Sequence, residues 1–274
     1  MRLGVRLVAS WGLAASLGMA ASNALAQVGD DDQDTHILNA LARPSSSAAA
    51  LHEPSPALPS DHQARLLVFS NADIWREGGF GYGGVVWAPD GLDRQGPVLK
   101  LVFGGGTYRY LSGALGNTEV QGHELAAAVL PGWRFVRDNL TVTVFLGYDF
   151  QQHRLTPDDP SAGLRGNYHG VRTGFELWYQ PTPWSMIAAD GSISTIGPGY
   201  NIRLATGVRA FEAFYVGPEV QAFGADSNYR QARAGLHITG LRTGPIEWSA
   251  GTGWALDTDH RAGAYGKIGI LTRR

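Results

Sequence analysis

The sequence of 274 residues contains no cysteine. Thiolate nucleophiles, cysteine metal ligands and disulfide bonds are therefore excluded. Charged side chains are also scarce, because they make up 17% of the residues, against about 25% in an average globular domain. The formal net charge of −2 provides no electrostatic reason to expect nucleic acid as a partner.

Long hydrophobic runs are missing as well. Beyond residue 26 no uncharged apolar run approaches the ~20 residues of a membrane-spanning helix, which excludes helical spans. Glycine and aromatic residues are abundant instead, at 37 glycines and 10% aromatics. This composition is typical of a β protein with tight turns and aromatic girdles.

The first 26 residues have the layout of a secretory signal peptide. Arg2 and Arg6 form a short basic start, an apolar stretch follows, and Ala24-Leu25-Ala26 places small residues where a signal peptidase reads. An N-terminal membrane anchor is the alternative, but the apolar core is short and rich in Ala, Gly and Ser. We therefore expect cleavage after residue 26 and export from the cytoplasm.

The remainder divides into a tail and a body. Residues 27–64 begin acidic and continue through Pro, Ser and Ala, so they bury too little apolar surface to offset the entropy of ordering. We expect a flexible tail there, acting as a spacer or, alternatively, as a periplasmic docking segment. Residues 65–274 form the predicted β-barrel domain.

The body consists of alternating segments separated by turns. Between Asn139 and Gln151, apolar residues fall on one face and Thr, Gly, Asp and Gln on the other, with Phe145 as the exception. A period of two indicates a strand with one apolar and one polar face. Turn signals such as Arg137-Asp138-Asn139 and Thr243-Gly244-Pro245 separate such runs, and Thr156–Pro160 is the longest expected surface loop. We predict an all-β fold, an antiparallel up-and-down barrel of about twelve strands.

The polar faces carry charges of both signs among glycines, which can pack as a network inside a barrel. A membrane barrel is therefore favoured, with its apolar faces toward outer-membrane lipid. The alternative is a soluble periplasmic β-sandwich with its apolar faces inward. The candidate lumen-lining residues are Arg172, Glu176, Arg203, Arg209, Glu219, Arg233, Glu247 and Lys267.

Several segments are similar to a known family: Phe69–Arg76, Leu130–Phe135, His153–Pro160, Ser194–Tyr200, Phe214–Glu219 and Gly266–Arg274. Through them the body resembles the cellulose biosynthesis protein BcsS family of alphaproteobacterial cellulose-synthesis gene clusters. The resemblance implies a non-enzymatic envelope protein that assists cellulose synthesis, export or attachment. Cellulose and components of the cellulose synthase complex are then the expected partners, besides outer-membrane lipid. Glucan is expected to pass along the lumen or to stack on exposed aromatics such as Tyr108 and Tyr110.

No catalytic, cofactor-binding or metal-binding residue is predicted. His153 with Asp158 and Asp159 could bind a cation, but an exposed turn rich in Asp and Pro explains them as well. His169 and His237 could support a lipid hydrolase, although no spacing singles out a catalytic pair. A general porin-like pore and an outer-membrane lipid hydrolase are therefore the alternative functions.

Overall fold

The computed structural model describes residues 64–225 and 229–274, and these form a closed β-barrel. Each strand pairs antiparallel with its sequence neighbours, and β1 pairs with β12 to complete the ring. The predicted antiparallel barrel of about twelve strands is confirmed. Its strands are β1 (Leu66–Trp75), β2 (Gly78–Trp87), β3 (Gly96–Ser112), β4 (Thr118–Arg137), β5 (Leu140–Thr156), β6 (Gly166–Thr182), β7 (Ser185–Ser194), β8 (Tyr200–Ala210), β9 (Phe214–Gly224), β10 (Arg230–Thr243), β11 (Ile246–Asp257) and β12 (Ala262–Arg273).

Two of the predicted segments fall outside this description. The expected signal peptide, residues 1–26, lies outside the described residues, and so does the expected tail except for Ala64. Within the described part of the chain, no helix has the length and apolarity needed to cross a membrane.

The two ends of the barrel differ. At the terminal end, where β1 begins and β12 ends, turns of two or three residues join β4 to β5, β6 to β7, β8 to β9 and β10 to β11. Asp138 and Gly244 occupy two of these turns with φ values of 50° and 61°, a left-handed conformation that Asp tolerates and Gly adopts freely. The terminal end also has one longer connection, 88–95 between β2 and β3. The opposite end, here called the loop end, has longer connections except for the two-residue turn from β1 to β2, and 157–165 joins β5 to β6.

The outer surface of the barrel is apolar. On β4 the outward residues from Leu125 to Phe135 are all uncharged, and His123 and Arg137 flank them. The ten residue-to-residue rises from Leu125 to Phe135, at ~3.4 Å each on a strand tilted by about 40°, span about 26 Å. That height matches the ~25 Å apolar band of an outer-membrane barrel. We call this surface the apolar band.

The interior has the opposite polarity. Charged residues such as Asp73, Glu124, Arg203 and Glu219 are buried inside the barrel, whereas leucines, valines and tryptophans face outward. The apolar strand faces therefore point out, and the alternative of a soluble sandwich with an apolar interior is wrong. The barrel is of the outer-membrane type.

The strands are unequal in length. Strands β3 to β6 have 17 to 20 residues, whereas the other strands have 10 to 14. At the loop end, β2 begins opposite Tyr108 of β3, so β3 extends beyond β2. Likewise β7 ends opposite Arg172 of β6, so β6 extends beyond β7. The projecting part, called the β3–β6 wall, consists of residues 109–112, 118–124, 149–156 and 166–171.

A charged residue introduced in the middle of the apolar band tests whether the band faces lipid. We expect Val129→Arg to lower the free energy of unfolding by about 2–4 kcal/mol, because the guanidinium would enter hydrocarbon. Gln121→Arg, on the same face of β4 but in the wall, should change it by less than about 0.5 kcal/mol. Urea unfolding in lipid vesicles, followed by tryptophan fluorescence, measures both. Equal small effects would mean that Val129 does not face lipid.

Candidate functional site

A network of charges lies inside the barrel on the inner faces of β3, β5, β6 and β7. Lys100 Nζ donates to Glu176 Oε1 at 2.6 Å, and Arg172 Nη2 donates to Asp149 Oδ2 at 2.7 Å. Ser194 Oγ donates to the same Asp149 oxygen at 2.6 Å. Buried charges are tolerated when they are paired and hydrogen-bonded in this way. Arg172 and Glu176 were among the candidate lumen residues.

Glu219 forms the centre of a second network. Its carboxylate accepts hydrogen bonds from Arg203 Nε at 3.0 Å, Lys267 Nζ at 2.6 Å and Tyr265 Oη at 3.0 Å. Arg203 also lies 3.5 Å from Asp190 on β7. Strands that are far apart in the sequence are therefore linked across the interior by one carboxylate.

A third buried pair joins β1 to β10. Arg233 Nη1 donates to Asp73 Oδ2 at 2.6 Å, and Arg233 Nε donates to Gln231 Oε1 at 2.6 Å. The guanidinium carbon also lies 4.9 Å from the ring centre of Phe223 and 5.0 Å from that of Tyr265. Aromatic faces stabilise a desolvated cation in this geometry.

The remaining two candidates lie nearer the terminal end. Glu247 is buried and forms ion pairs with Arg242 at 3.5 Å and Arg273 at 4.0 Å. Arg209 is only partly buried, bonds the carbonyl of Glu212 at 3.2 Å and covers the ring of Tyr215. Arg209 is thus apart from the three buried networks.

Sequence reasoning missed several charges that complete these networks: Asp73, Lys100, Asp149 and Asp190. Asp149 stood on the polar face of the best alternating segment, and that was the available signal for it. Lys100 and Asp73 lie in strands where apolar residues also point inward, so alternation alone did not distinguish their faces.

Apolar side chains fill the lumen at the terminal end. This cluster, called the terminal plug, includes Phe145, the exception in the alternation of β5, which turns inward and is buried. Arg134 Nη1 donates to the carbonyl of Leu92 at 2.6 Å and thereby holds the β2–β3 loop against the plug. The members are Leu67, Phe69, Val86, Ala88, Leu92, Val98, Ala128, Leu130, Phe145 and Leu271.

A second cluster, the loop plug, fills the lumen near the loop end. It contains Tyr108, Tyr110, Val120, Leu164, Ile196 and Ala225. The expectation that Tyr108 and Tyr110 are exposed for glucan stacking is wrong, because their exposed fractions are 5% and 2%. The two rings point inward, and a Cβ on Gly122 would lie 2.1 Å from Tyr108 Cζ. Only glycine at position 122 leaves room for that ring.

The connection from β5 to β6 takes part in the loop plug. Leu164 is buried, and Tyr110 Oη donates to Asp159 Oδ2 at 3.0 Å, so the expected surface loop folds partly inward. Burial opposes ionisation of Asp159, but hydrogen bonds, first of all from Ser161, outweigh it and lower the pKa of this carboxyl. Asp159 is therefore ionised at neutral pH and holds the loop.

Between the plugs lies a cavity of about 100 Å³. Tyr82, Val102 and Phe145 form part of an apolar side, and Arg172 and Asn201 lie on a polar side. An engineered cavity of about 150 Å³ holds one benzene molecule. A glucose ring has more non-hydrogen atoms than benzene, so this cavity is too small for a glucan chain. The expectation that glucan passes along the lumen does not agree with this arrangement of side chains.

The proposed metal and hydrolase residues do not come together. Among residues 64–225 and 229–274, no group of three or more His, Cys, Asp or Glu side chains is arranged to hold a metal. Asp158 pairs with Arg165, and His153 bonds Gln151 at 3.2 Å. His237 contacts Thr239 and the carbonyl of Thr206, while His169 bonds Tyr148 on the outer surface.

Most of the chain matches one known protein family. The family described as cellulose biosynthesis protein BcsS matches residues 67–274. The chain belongs to this family. The BcsS match begins in β1 and includes every later strand, so the barrel is itself the family's domain. No curated protein matches the chain.

Solved structures similar to this BcsS-family barrel include three bacterial proteins. The KdgM porin is 8% identical, with 75% of this chain and 98% of that chain covered and a TM-score of 0.42. An outer membrane channel from Pseudomonas putida F1 is 10% identical, with coverage of 81% and 100% and a TM-score of 0.48. The translocator domain of the autotransporter NalP from Neisseria meningitidis is 10% identical, with coverage of 96% and 97% and a TM-score of 0.47.

Removing the carboxylate of the Asp73–Arg233 pair tests the interior networks of the BcsS-family barrel. We expect Asp73→Ala to lower the free energy of unfolding by about 3–5 kcal/mol, because a buried guanidinium loses its counter-charge. Glu119→Ala is the control, since Glu119 forms an exposed pair with Arg109 at 3.9 Å that contributes about 0–1 kcal/mol. Denaturant unfolding in vesicles compares them. Similar small losses would contradict the assignment of a desolvated pair.

Proposed function

We propose that this BcsS-family chain is a non-enzymatic protein of the bacterial outer membrane that assists the export or attachment of cellulose. The inverted polarity of the barrel carries the proposed location. An apolar exterior about 26 Å high around buried charges such as Glu219 and Arg233 suits a bilayer and is unsuited to water. Membership of the BcsS family links the chain to cellulose.

The occluded lumen supports a role at the surface of the barrel. Plugs fill the interior at both ends, and the cavity of about 100 Å³ between them is smaller than the ~150 Å³ cavity that holds one benzene molecule. The polymer therefore meets the barrel at its ends or on the β3–β6 wall. The protein then acts as a membrane-embedded anchor or platform.

The two ends suggest an orientation for this platform. In bacterial outer-membrane barrels the short turns face the periplasm and the long loops face outward. The terminal end, where four of the five connections are turns of two or three residues, then faces the periplasm, where the chain can contact components of the cellulose synthase complex. The tail of residues 27–64 joins β1 at the same end and serves as a spacer in the periplasm.

Deletion of the gene tests the function. Extracellular cellulose, measured as glucose released by cellulase, should fall at least several-fold, whereas synthase activity in inner-membrane vesicles should persist. Complementation should restore cellulose, and the restored protein should fractionate with the outer membrane and migrate faster on a gel when it is not boiled. Unchanged cellulose would reject the accessory role, and a soluble periplasmic protein would reject the location.

A porin-like pore is the second candidate, since the interior carries charges of both signs. The plugs oppose it, and we expect the purified, folded protein to give no ion conductance in planar bilayers. An open porin studied in the same bilayers is the positive control. Steady conductance from the folded wild-type chain would contradict the closed lumen and favour the pore.

A further inference from the structure

The outer face of the β3–β6 wall carries two arginines and a histidine. Arg109 on β3, His123 on β4 and Arg154 on β5 all point away from the interior, and their side chains are exposed. Alternation places each of them on the same side of its strand as the apolar band. They therefore stand directly above the lipid-facing surface, toward the loop end.

Strand register brings these three side chains together. His123 lies opposite Arg154 in the β4–β5 ladder, and opposed residues have Cβ atoms about 5 Å apart. Thr107 lies opposite His123 in the β3–β4 ladder, so Arg109 is the diagonal neighbour of His123, at about 7–8 Å. The side chains of Arg109, His123 and Arg154 can thus donate hydrogen bonds toward one place on the outer face of the wall.

The protein neutralises only part of the charge of this group. Arg109 forms an exposed ion pair with Glu119 at 3.9 Å. Within the described residues the side chains of His123 and Arg154 form no ion pair or hydrogen bond. The neighbouring Asp158 is already engaged, because Arg165 Nε donates to it at 2.7 Å. Among the residues that the structure describes, Arg154 therefore provides a positive charge without a carboxylate partner at this place.

The depth of these side chains relative to the bilayer determines which kind of anion can contact them. Leu125, the last apolar residue of the band on β4, lies two residues from His123, which is about 7 Å along the strand. Arg109, His123 and Arg154 are therefore at the level of lipid headgroups.

We propose that Arg154, His123 and Arg109 bind a phosphate of lipid A, the phosphorylated glycolipid of the outer leaflet. Arginine is suited to phosphate because its planar guanidinium donates two parallel hydrogen bonds. The acyl chains of the same lipid then lie along Leu125, Val129 and Leu146, which are exposed on the band below. This inference rests on the proposed outer-membrane location with the loop end outward.

Titration of the purified, delipidated full-length chain in detergent tests the site. Lipid A with both phosphates should bind at least about tenfold more tightly than the same lipid after enzymatic removal of its phosphates. The double variant His123→Gln with Arg154→Gln should lose that preference. Arg137→Gln removes an exposed arginine at the other end of β4 and should keep it. Heat-modifiable mobility verifies that each variant is folded.

Three results would overturn the proposal. They are equal binding of phosphorylated and dephosphorylated lipid A, unchanged binding by the folded double variant, and equally strong loss of binding in Arg137→Gln. Inorganic phosphate is added as a competitor, and displacement of lipid A by an equimolar amount would assign the site to free phosphate. Since no cellulose is present, failure of the accessory function in cells would leave this measurement unaffected.

Discussion

Complete pairing of the backbone is the constraint on which the rest of the structure depends. A bilayer core contains no water to bond an unpaired N–H or C=O group, so a sheet can cross it only without an edge. Pairing of β1 with β12, from Leu67 opposite Arg273 to Trp75 opposite Tyr265, removes that edge. Once the sheet is closed, alternation sends one face of each strand to lipid and the other to a shared interior.

The interior then has to accommodate charges that a soluble core would exclude. Isolated burial of Glu219 or Asp73 would be costly, but each accepts hydrogen bonds from arginine or lysine on strands distant in sequence. Aromatic and aliphatic side chains fill the lumen at both ends, and a glycine at position 122 makes room for Tyr108. The interior of the barrel is therefore polar, and yet its lumen is closed. This leaves the outer surfaces of the barrel for contact with partners.

Much of the architecture was predictable from local pattern. The alternation from Asn139 to Gln151 corresponds to β5, and the turn signals at Arg137–Asn139 and Thr243–Pro245 lie between consecutive strands. Alternation also identified Arg203, Glu219 and Arg233 as residues of the polar faces, and these are buried. Local pattern failed for Tyr108 and Tyr110, whose aromatic character suggests exposure at an interface. Their direction depends on inward packing against Leu164 and Ile196, which are far away in the sequence.

The sequence by itself determined that the body is a set of about twelve amphipathic strands, because a period of two and its turn residues are local properties of the chain. Only the tertiary structure decided that the apolar faces point outward, that both ends of the lumen are filled, and that His123 lies beside Arg154. Those facts depend on closure and register, which join residues distant along the chain. Local alternation is the same whether a face meets lipid or a protein core, so only the assembled barrel distinguishes the two.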